Sequence, residues 1–381
     1  MAEKPLLIII HPHFTLPGGA GKYILEIAQR CTDDYEVIAI CQQANHNITQ
    51  QYPGVVFRSI NGPLTSSFWF WLLWPIWYCK TAWQLNQLRA TSRRVTLFCS
   101  VFPAHWFGLL YKRLHRDVRA VWLCPEPSAF IYSDTWKQAI TSPLKRFIAK
   151  VLSPVLAVID KSAVRQCDAI IADSKYTQQH ILDIYHQTSV VGYPGVKAQN
   201  IPLQPIGLRT KRILTVGRLT TFKRVDVLVR AFVLADLFDF RLDIIGTGEA
   251  VPQLQQLITE LRCSDRVQIR SGISDSDLAQ IYADSRVFVL CSKGEPFGLV
   301  VVEAMAYGTP VIADASGGPA ETVLDHTTGE LINLTETTLA KTLQTLAAQT
   351  EVLQRYGDAG TVWVKQEFDW QNTVNKVKQY L

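Results

Sequence analysis

Short apolar runs alternate with longer amphipathic stretches through both halves of the chain, and this alternation restricts the fold more than any single residue does. An apolar run too short for a helix, followed by a stretch with helical spacing, is the pattern of parallel strands packed under helices. In the first half it predicts strands at Leu6–Ile10, Glu36–Ile40, Val95–Ser100, Ala120–Leu123 and Ala169–Ala172. In the second half it predicts them at Arg212–Val216, Arg241–Ile245, Val267–Ile269, Val287–Leu290 and Val311–Ala313. Between the halves, Tyr193-Pro194-Gly195-Val196 leads into a polar stretch with Pro202, Pro205 and Gly207, the best linker in the sequence. The 381 residues exceed one ordinary core, for which roughly 100–200 residues is usual. The expectation is an α/β protein of two Rossmann-like domains, residues 1–195 and 196–367, with a cleft between them.

Composition narrows the class. With 48% apolar and 19% charged residues, the chain is neither disordered nor fibrous. A net charge of +5 with scattered basic residues gives no reason to expect nucleic acid, only a mild pull toward anionic ligands or lipid head groups. The eight cysteines form no CxxC pair and lie mostly in apolar runs, so they read as reduced core residues of a cytoplasmic protein. Leu6 to Ile10 is a first strand, too short for a secretory signal.

Candidate chemistry gathers in the second half. Gly217-Arg218-Leu219 follows the strand Arg212–Val216, and Lys223 comes five residues after Arg218, so both cations sit where open α/β sheets bind ligands. After Val287–Leu290 comes Cys291 to Leu299, CSKGEPFGL, and then a helix containing Glu303. Glycines let backbone N–H groups approach an anion there, and the helix start adds partial positive charge. That combination suits a diphosphate. An ionised carboxylate accepts from two hydroxyls at once, so Glu295 can reach a sugar and Glu303 a ribose.

The segment Glu295 to Ile312, EPFGLVVVEAMAYGTPVI, resembles the E-x7-E signature of glycosyltransferase family 4. Gly217-Arg218-Leu219 with Lys223, Gly246-Thr247-Gly248, Ser316-Gly317-Gly318-Pro319 with Glu321, and CDAIIADSKYT before Tyr193-Pro194-Gly195-Val196 resemble it in order and spacing. The resemblance implies a GT-B fold, with the acceptor mainly on the first domain, the donor on the second, and a final helix at 368–381 crossing back to the first. It also implies roles. Arg218 and Lys223 would bind the donor diphosphate with backbone amides at Phe297, Gly298 and Leu299, while Glu295 would hold the transferred sugar and Glu303 the ribose. Gly217 would belong to the donor site, the base would lie near Gly272 and Ile273, and Gly18-Gly19-Ala20 is similar to the family's glycine-rich loop facing the donor.

Departure of a nucleoside diphosphate leaves charge on oxygen that fixed cations stabilise. The resemblance implies retention of configuration by same-face attack, with no divalent metal and no cofactor. The expected function is therefore a retaining, metal-independent hexosyltransferase using a UDP- or GDP-sugar. Its acceptor is a hydroxyl of a glycan, a lipid-linked glycan or a small molecule. A nucleotide-sugar epimerase of the same fold and a non-catalytic sugar-nucleotide-binding subunit are the rivals.

Other residues carry competing readings. Asp275-Ser276-Asp277 offers a metal-binding DxD but reads better as a helix start capped by Ser274 or Asp275. The Gly18–Lys22 run fails the phosphate-loop pattern at Leu16 and Tyr23. His11 and His13 lack a third metal ligand, so cleft lining or plain loop is preferred, with His13 a candidate on the acceptor side. His105 is either an acceptor contact or a structural histidine. Many relatives carry a histidine where this chain has Pro125, beside Glu126-Pro127, so Glu126 is left either to hold or polarise the acceptor hydroxyl or to sit in a rigid turn. Finally, Phe68 to Tyr78, FWFWLLWPIWY, is too short to span a bilayer, which needs roughly 20 residues. Burial or an apolar acceptor pocket is expected. Peripheral contact with the cytoplasmic leaflet, aided by the basic stretches Lys112–Arg119 and Lys145–Lys150, is the alternative.

Overall fold

Aliphatic runs covered by helices on both faces become fully buried strands, and β1 (Leu6–Ile10) is buried at every position. The computed structural model describes residues 3–15, 18–65, 67–90, 94–133, 143–197 and 200–381. They form two units, one of Met1–Pro194 with Trp370–Leu381 and one of Gly195–Asp369. Leu16, on which the phosphate-loop pattern fails, lies outside the described residues.

In the first unit β1 is joined by β2 (Glu36–Cys41), β3 (Val55–Ser59), β4 (Val95–Cys99), β5 (Arg119–Cys124), β6 (Ala169–Ala172) and β7 (Val190–Val191). They form a parallel sheet in the order β3-β2-β1-β4-β5-β6-β7. One face packs on the helices Trp74–Arg89, Ala104–Leu114 and Pro143–Val164, through Trp77, Leu85, Trp106, Leu109, Ala163 and Val164. The other packs on Gly19–Arg30 and on the last helix, Trp370–Lys378, whose Trp370, Val374 and Val377 join Tyr23 and Ile27. Thr373 Oγ1 donates to Tyr193 O at 2.5 Å, and Lys378 pairs with Asp34 at 2.5 Å. The C-terminal helix thus belongs to the first unit, starting at Trp370. Phe368 stays with the second because its ring meets Phe297 and Trp363 edge-on, at 5.8 and 5.9 Å.

The second unit holds β8 (Thr210–Val216), β9 (Arg241–Ile245), β10 (Val267–Arg270), β11 (Ser285–Leu290), β12 (Val311–Asp314) and β13 (Gly329–Ile332), parallel in the order β10-β9-β8-β11-β12-β13. Each unit is Rossmann-like. Strands β3, β7 and β13 are additions to the sequence reading.

All eight cysteines are free thiols. Burial pushes Cys31 and Cys41 up to about 12, which keeps them protonated core residues, but Cys79 is exposed and departs from that expectation. Among the described residues no helix is long and apolar enough to cross a membrane.

Candidate functional site

In the second unit the strand order reverses between neighbouring β8 and β11, and parallel sheets bind ligands beyond the carboxyl ends of strands at such a point. The segments leaving these two strands are therefore neighbours. From β8 the chain passes Gly217 and an exposed Arg218 to the short turn Thr221–Lys223. From β11 it passes through Glu295 and Phe297 to Gly298 and the helix Leu299–Ala306. Lys223 Nζ donates to both carboxylate oxygens of Glu295, at 2.7 and 2.6 Å, with both side chains largely shielded from solvent. An ammonium suited to anionic oxygens and a carboxylate suited to hydroxyl donors are thus held side by side. Arg218 stands on the same side of the sheet, at the end of β8, without joining that pair.

The loop carrying Glu295 is laced to the one after β12. Gly294 N donates to Ser316 Oγ at 2.9 Å, Ser316 Oγ donates to Asp314, and Asp314 accepts from Leu334 N at 3.2 Å. Gly318 N donates to Glu295 O at 2.7 Å. Gly317, at φ +76°, lies so close that an added Cβ would fall 2.4 Å from Glu295 O. Beyond this loop, Gly298 caps the helix at φ +82°, Leu299 is its first residue, and Phe297 is buried beneath it. Glu303, half-buried on that helix, accepts from Tyr282 Oη at 3.3 Å. Burial first, and then the charge of Glu303, pushes the Tyr282 phenol well up, so it remains a donor. Gly272, at φ +68°, and Ile273 follow β10 at the edge of the same sheet end. Tyr282, Ser316 and Asp314 are supports that sequence reasoning missed. Asp314 had a signal, a carboxylate ending an apolar strand.

The first unit reverses its strand order between β1 and β4. After β1, His11 is buried and stacked on Phe14 at 4.4 Å between ring centroids. Burial, then the neighbouring His13, lowers its pKa to about 3. His13 is half-buried, with Nδ1 3.1 Å from Thr15 Oγ1. Gly18 precedes the helix Gly19–Arg30 in an extended conformation, and neither glycine has an atom within 4 Å of where a Cβ would stand. Glu126 is exposed just past β5, on a turn tied down by Thr177 Oγ1 donating to Pro125 O at 3.3 Å.

His105 does not sit where an acceptor contact requires. It is fully buried, 2.7 Å from Asp160 and stacked on Trp122 at 4.9 Å. Asp160 also accepts from Trp106 Nε1 at 2.6 Å, Tyr185 Oη at 2.7 Å and Tyr132 Oη at 2.9 Å. Burial opposes its ionisation, but hydrogen bonds from His105, Tyr185 and Trp106 hold the carboxyl below its usual value. This is a core network, and its signal in the sequence is a single acid in a helix whose other charges are all basic.

Two alternatives resolve structurally. Asp275–Ala283 is a helix whose cap, Ser274 Oγ, accepts from Asp277 N at 3.1 Å and donates to the Asp277 carboxylate at 2.7 Å, so the Asp-Ser-Asp run is a helix start. The aromatic run divides instead of burying as a block. Phe70 and Trp77 are in the core, whereas Trp69, Leu72 and Ile76 are exposed.

Known proteins match this arrangement. The model of glycosyl transferases group 1 matches residues 198–363, and that of glycosyltransferase family 4 matches residues 17–200. D-inositol 3-phosphate glycosyltransferase from Mycobacterium sp. (strain JLS) is 32% identical over 197 residues, 47% of this chain and 44% of that protein. Mannosylfructose-phosphate synthase from Agrobacterium fabrum (strain C58 / ATCC 33970) is 34% identical over 166 residues, 40% of this chain and 36% of that protein. The matches thus span less than half the length of these relatives. Among solved structures, sucrose-phosphate synthase from Thermosynechococcus elongatus aligns with a TM-score of 0.77 at 21% identity, covering 99% of this chain and 98% of that one. Anabaena Alr3699/HepE in complex with UDP-glucose aligns at 0.78 and 19% identity, covering 98% of each. These likenesses give the fold, GT-B. The two family models together run from residue 17 to residue 363, and the chain belongs to the group 1, family 4 glycosyltransferases.

Proposed function

We propose that the protein transfers a hexose from a UDP- or GDP-sugar to an acceptor hydroxyl, with retention at the anomeric carbon and without a divalent metal. The observation that carries this reading is the Lys223–Glu295 pair at the β8–β11 reversal. In our reading the donor diphosphate takes Lys223 and Arg218, and Glu295 turns to hydroxyls of the transferred sugar. Glu303, oriented by Tyr282, takes the ribose, and the amides at Phe297–Leu299 add donors to the phosphates. As the diphosphate departs, negative charge grows on an oxygen that two fixed cations already face. That oxygen then accepts the acceptor's proton on the face where the new bond forms. On the first unit, Glu126 and His13 are the polar side chains we assign to the acceptor, a glycan, lipid-linked glycan or small molecule. HepE, whose structure contains UDP-glucose, makes that donor the first to try. A peripheral contact of the Phe68–Tyr78 segment with the cytoplasmic leaflet belongs to the same reading, supported by the exposure of Trp69, Leu72 and Ile76.

The test is a thermal-shift series with UDP, GDP, ADP, dTDP and CMP, followed by sugar-nucleotide turnover with the best binder. A ligand at about 100 times its Kd stabilises by roughly 2.7 kcal/mol, an observable shift. Absence of a shift with every nucleotide would overturn the donor assignment.

A further inference from the structure

The helix Pro143–Val164 buries only one side. Ala149, Ser153, Asp160, Ala163 and Val164 face the core. The opposite side exposes Phe147, Ile148, Val151, Leu152, Val155 and Val158, with Phe147 and Val158 66% and 70% accessible. At helical spacing these six fall on one continuous stripe. Lys150 and Lys161 flank it, and the one acid of the helix, Asp160, is sealed inside the His105 network. The stripe therefore has a cationic border and no exposed carboxylate of its own.

Neighbouring elements continue this surface. The helices Phe68–Leu72, Trp74–Arg89 and Ala104–Leu114 cover the same face of the seven-stranded sheet, and Trp69, Leu72, Ile76, Trp83 and Leu114 are exposed on them. The Trp71 ring stacks on Phe102 and Phe130, and the short helix Ala129–Tyr132 that carries Phe130 packs against Pro143–Val164. Arg113 Nη1 lies 3.5 Å from Ser162 Oγ, which brings a further cation to the border of the stripe. Two acids of this layer are engaged, Asp117 by Arg89 at 2.6 Å and Asp168 by Lys112 at 2.9 Å.

Charge identifies what covers such a face. The chain has no acidic residue from position 37 to position 116. The first unit carries 21 Lys and Arg against 12 Asp and Glu, whereas the second carries 17 against 21. The modest charge of the whole chain conceals a surplus of nine positive charges on the unit that bears the apolar face. A broad apolar stripe with a basic border, on a helix that cannot span a bilayer, suits the headgroup region of an anionic leaflet. We propose that the outer side of the helix Pro143–Val164 is a docking surface for anionic phospholipid, with the exposed tryptophan-bearing helices beside it. The inference deepens the lipid contact proposed for the Phe68–Tyr78 segment and moves its centre to a helix that contact did not include.

Co-sedimentation of the full chain with vesicles, without substrates, tests it. Vesicles with phosphatidylglycerol in phosphatidylcholine are compared with phosphatidylcholine alone. The wild type should partition into the anionic vesicles, and F147E/V151E/V155E should lower partitioning by about tenfold or more. Lys150→Glu should lower it by about fivefold or more. These side chains point to solvent, so the unfolding midpoint should stay within a few degrees, which separates lost docking from lost fold. Equal partitioning of wild type and triple variant overturns the inference, as does indifference to lipid charge. So does a self-associated wild type that the triple variant makes monomeric without any vesicle binding, because a second copy would then cover the face. If W69E/L72E abolishes binding while the helix variant retains it, the inference fails and the Phe68–Tyr78 contact stands.

Discussion

The glycine-bearing loops of the two units look alike in sequence and differ in what surrounds them. In the second unit, an added Cβ at Gly246 would lie 1.8 Å from the carbonyl oxygen of Gly217. Leu219 N donates to Thr247 O at 2.8 Å, so the turns after β8 and β9 interlock through backbone. In the first unit, the same addition at Gly18 or Gly19 meets nothing within 4 Å. A glycine required by packing and one that leaves a turn open make different demands on the chain. The donor-side unit ties the turns after β8 and β9 and the Glu295 loop together by close backbone approach, while the first unit leaves space around the two glycines that begin the helix Gly19–Arg30.

The largest test of this contrast is Gly246→Ala. The new methyl collides with backbone that cannot swing aside, and φ of +154° adds strain, so a loss of about 4 kcal/mol in urea unfolding is expected. Gly18→Ala should stay within about 0.5 kcal/mol of wild type. Equal costs would erase the distinction.

Next in size is Asp160→Ala. Removing a buried carboxylate that accepts from His105, Trp106, Tyr132 and Tyr185 strands four donors, and about 3 kcal/mol of stability should go. Nucleotide affinity should survive in the folded fraction, measured by titration calorimetry at low temperature. A lost UDP affinity with stability intact would turn this network from core into site.

Legibility followed the same contrast. Strands β1 and β6 are legible to the residue because buried parallel strands are continuous aliphatic runs, and β9, RLDII, is legible to the same bounds although Asp243 interrupts its run. Strand β3, VVFRS, is a half-exposed edge, β7 has two residues, and β13, GELI, begins at a glycine, so none offers such a run. At the donor side, Lys223 is legible from its place after a strand and Glu295 mainly from the family resemblance, and the strand order is what brings the two together. His105 is left between an acceptor contact and a structural histidine for a physical reason, and the structure gives the second. A histidine after a strand end reads the same whether its ring faces solvent or a carboxylate 55 residues later, and only the fold brings Asp160 to it. The charge asymmetry between units stands in the sequence, with 19 Lys and Arg against 12 Asp and Glu in residues 1–194, and counting the last helix with the first unit only widens it.

Glu295→Ala separates chemistry from binding within the second unit. Turnover should fall roughly 100-fold, equivalent to about 2.7 kcal/mol of transition-state stabilisation, while UDP affinity changes by less than about threefold. Lys223→Ala should do the reverse at the first step, weakening UDP binding by about tenfold. If Glu295→Ala left turnover unchanged, the carboxylate would be a tether for Lys223 and nothing more.

The effect that is smallest at neutral pH lies in the first unit. His11 is held neutral by burial, with a pKa of about 3 when folded and near 6.5 when unfolded. Below the higher value the unfolded chain binds a proton that the folded protein refuses, so stability falls with pH until the folded ring is protonated too. The slope attributable to this one residue approaches about 1.4 kcal/mol per pH unit between about pH 6 and about pH 4. His11→Phe keeps a ring to stack on Phe14 and removes the titration, so its unfolding free energy should lose that share of the slope in urea melts across the interval. An unchanged slope would mean that His11 takes up its proton while folded, and the end of β1 would then be open to water and to a polar acceptor.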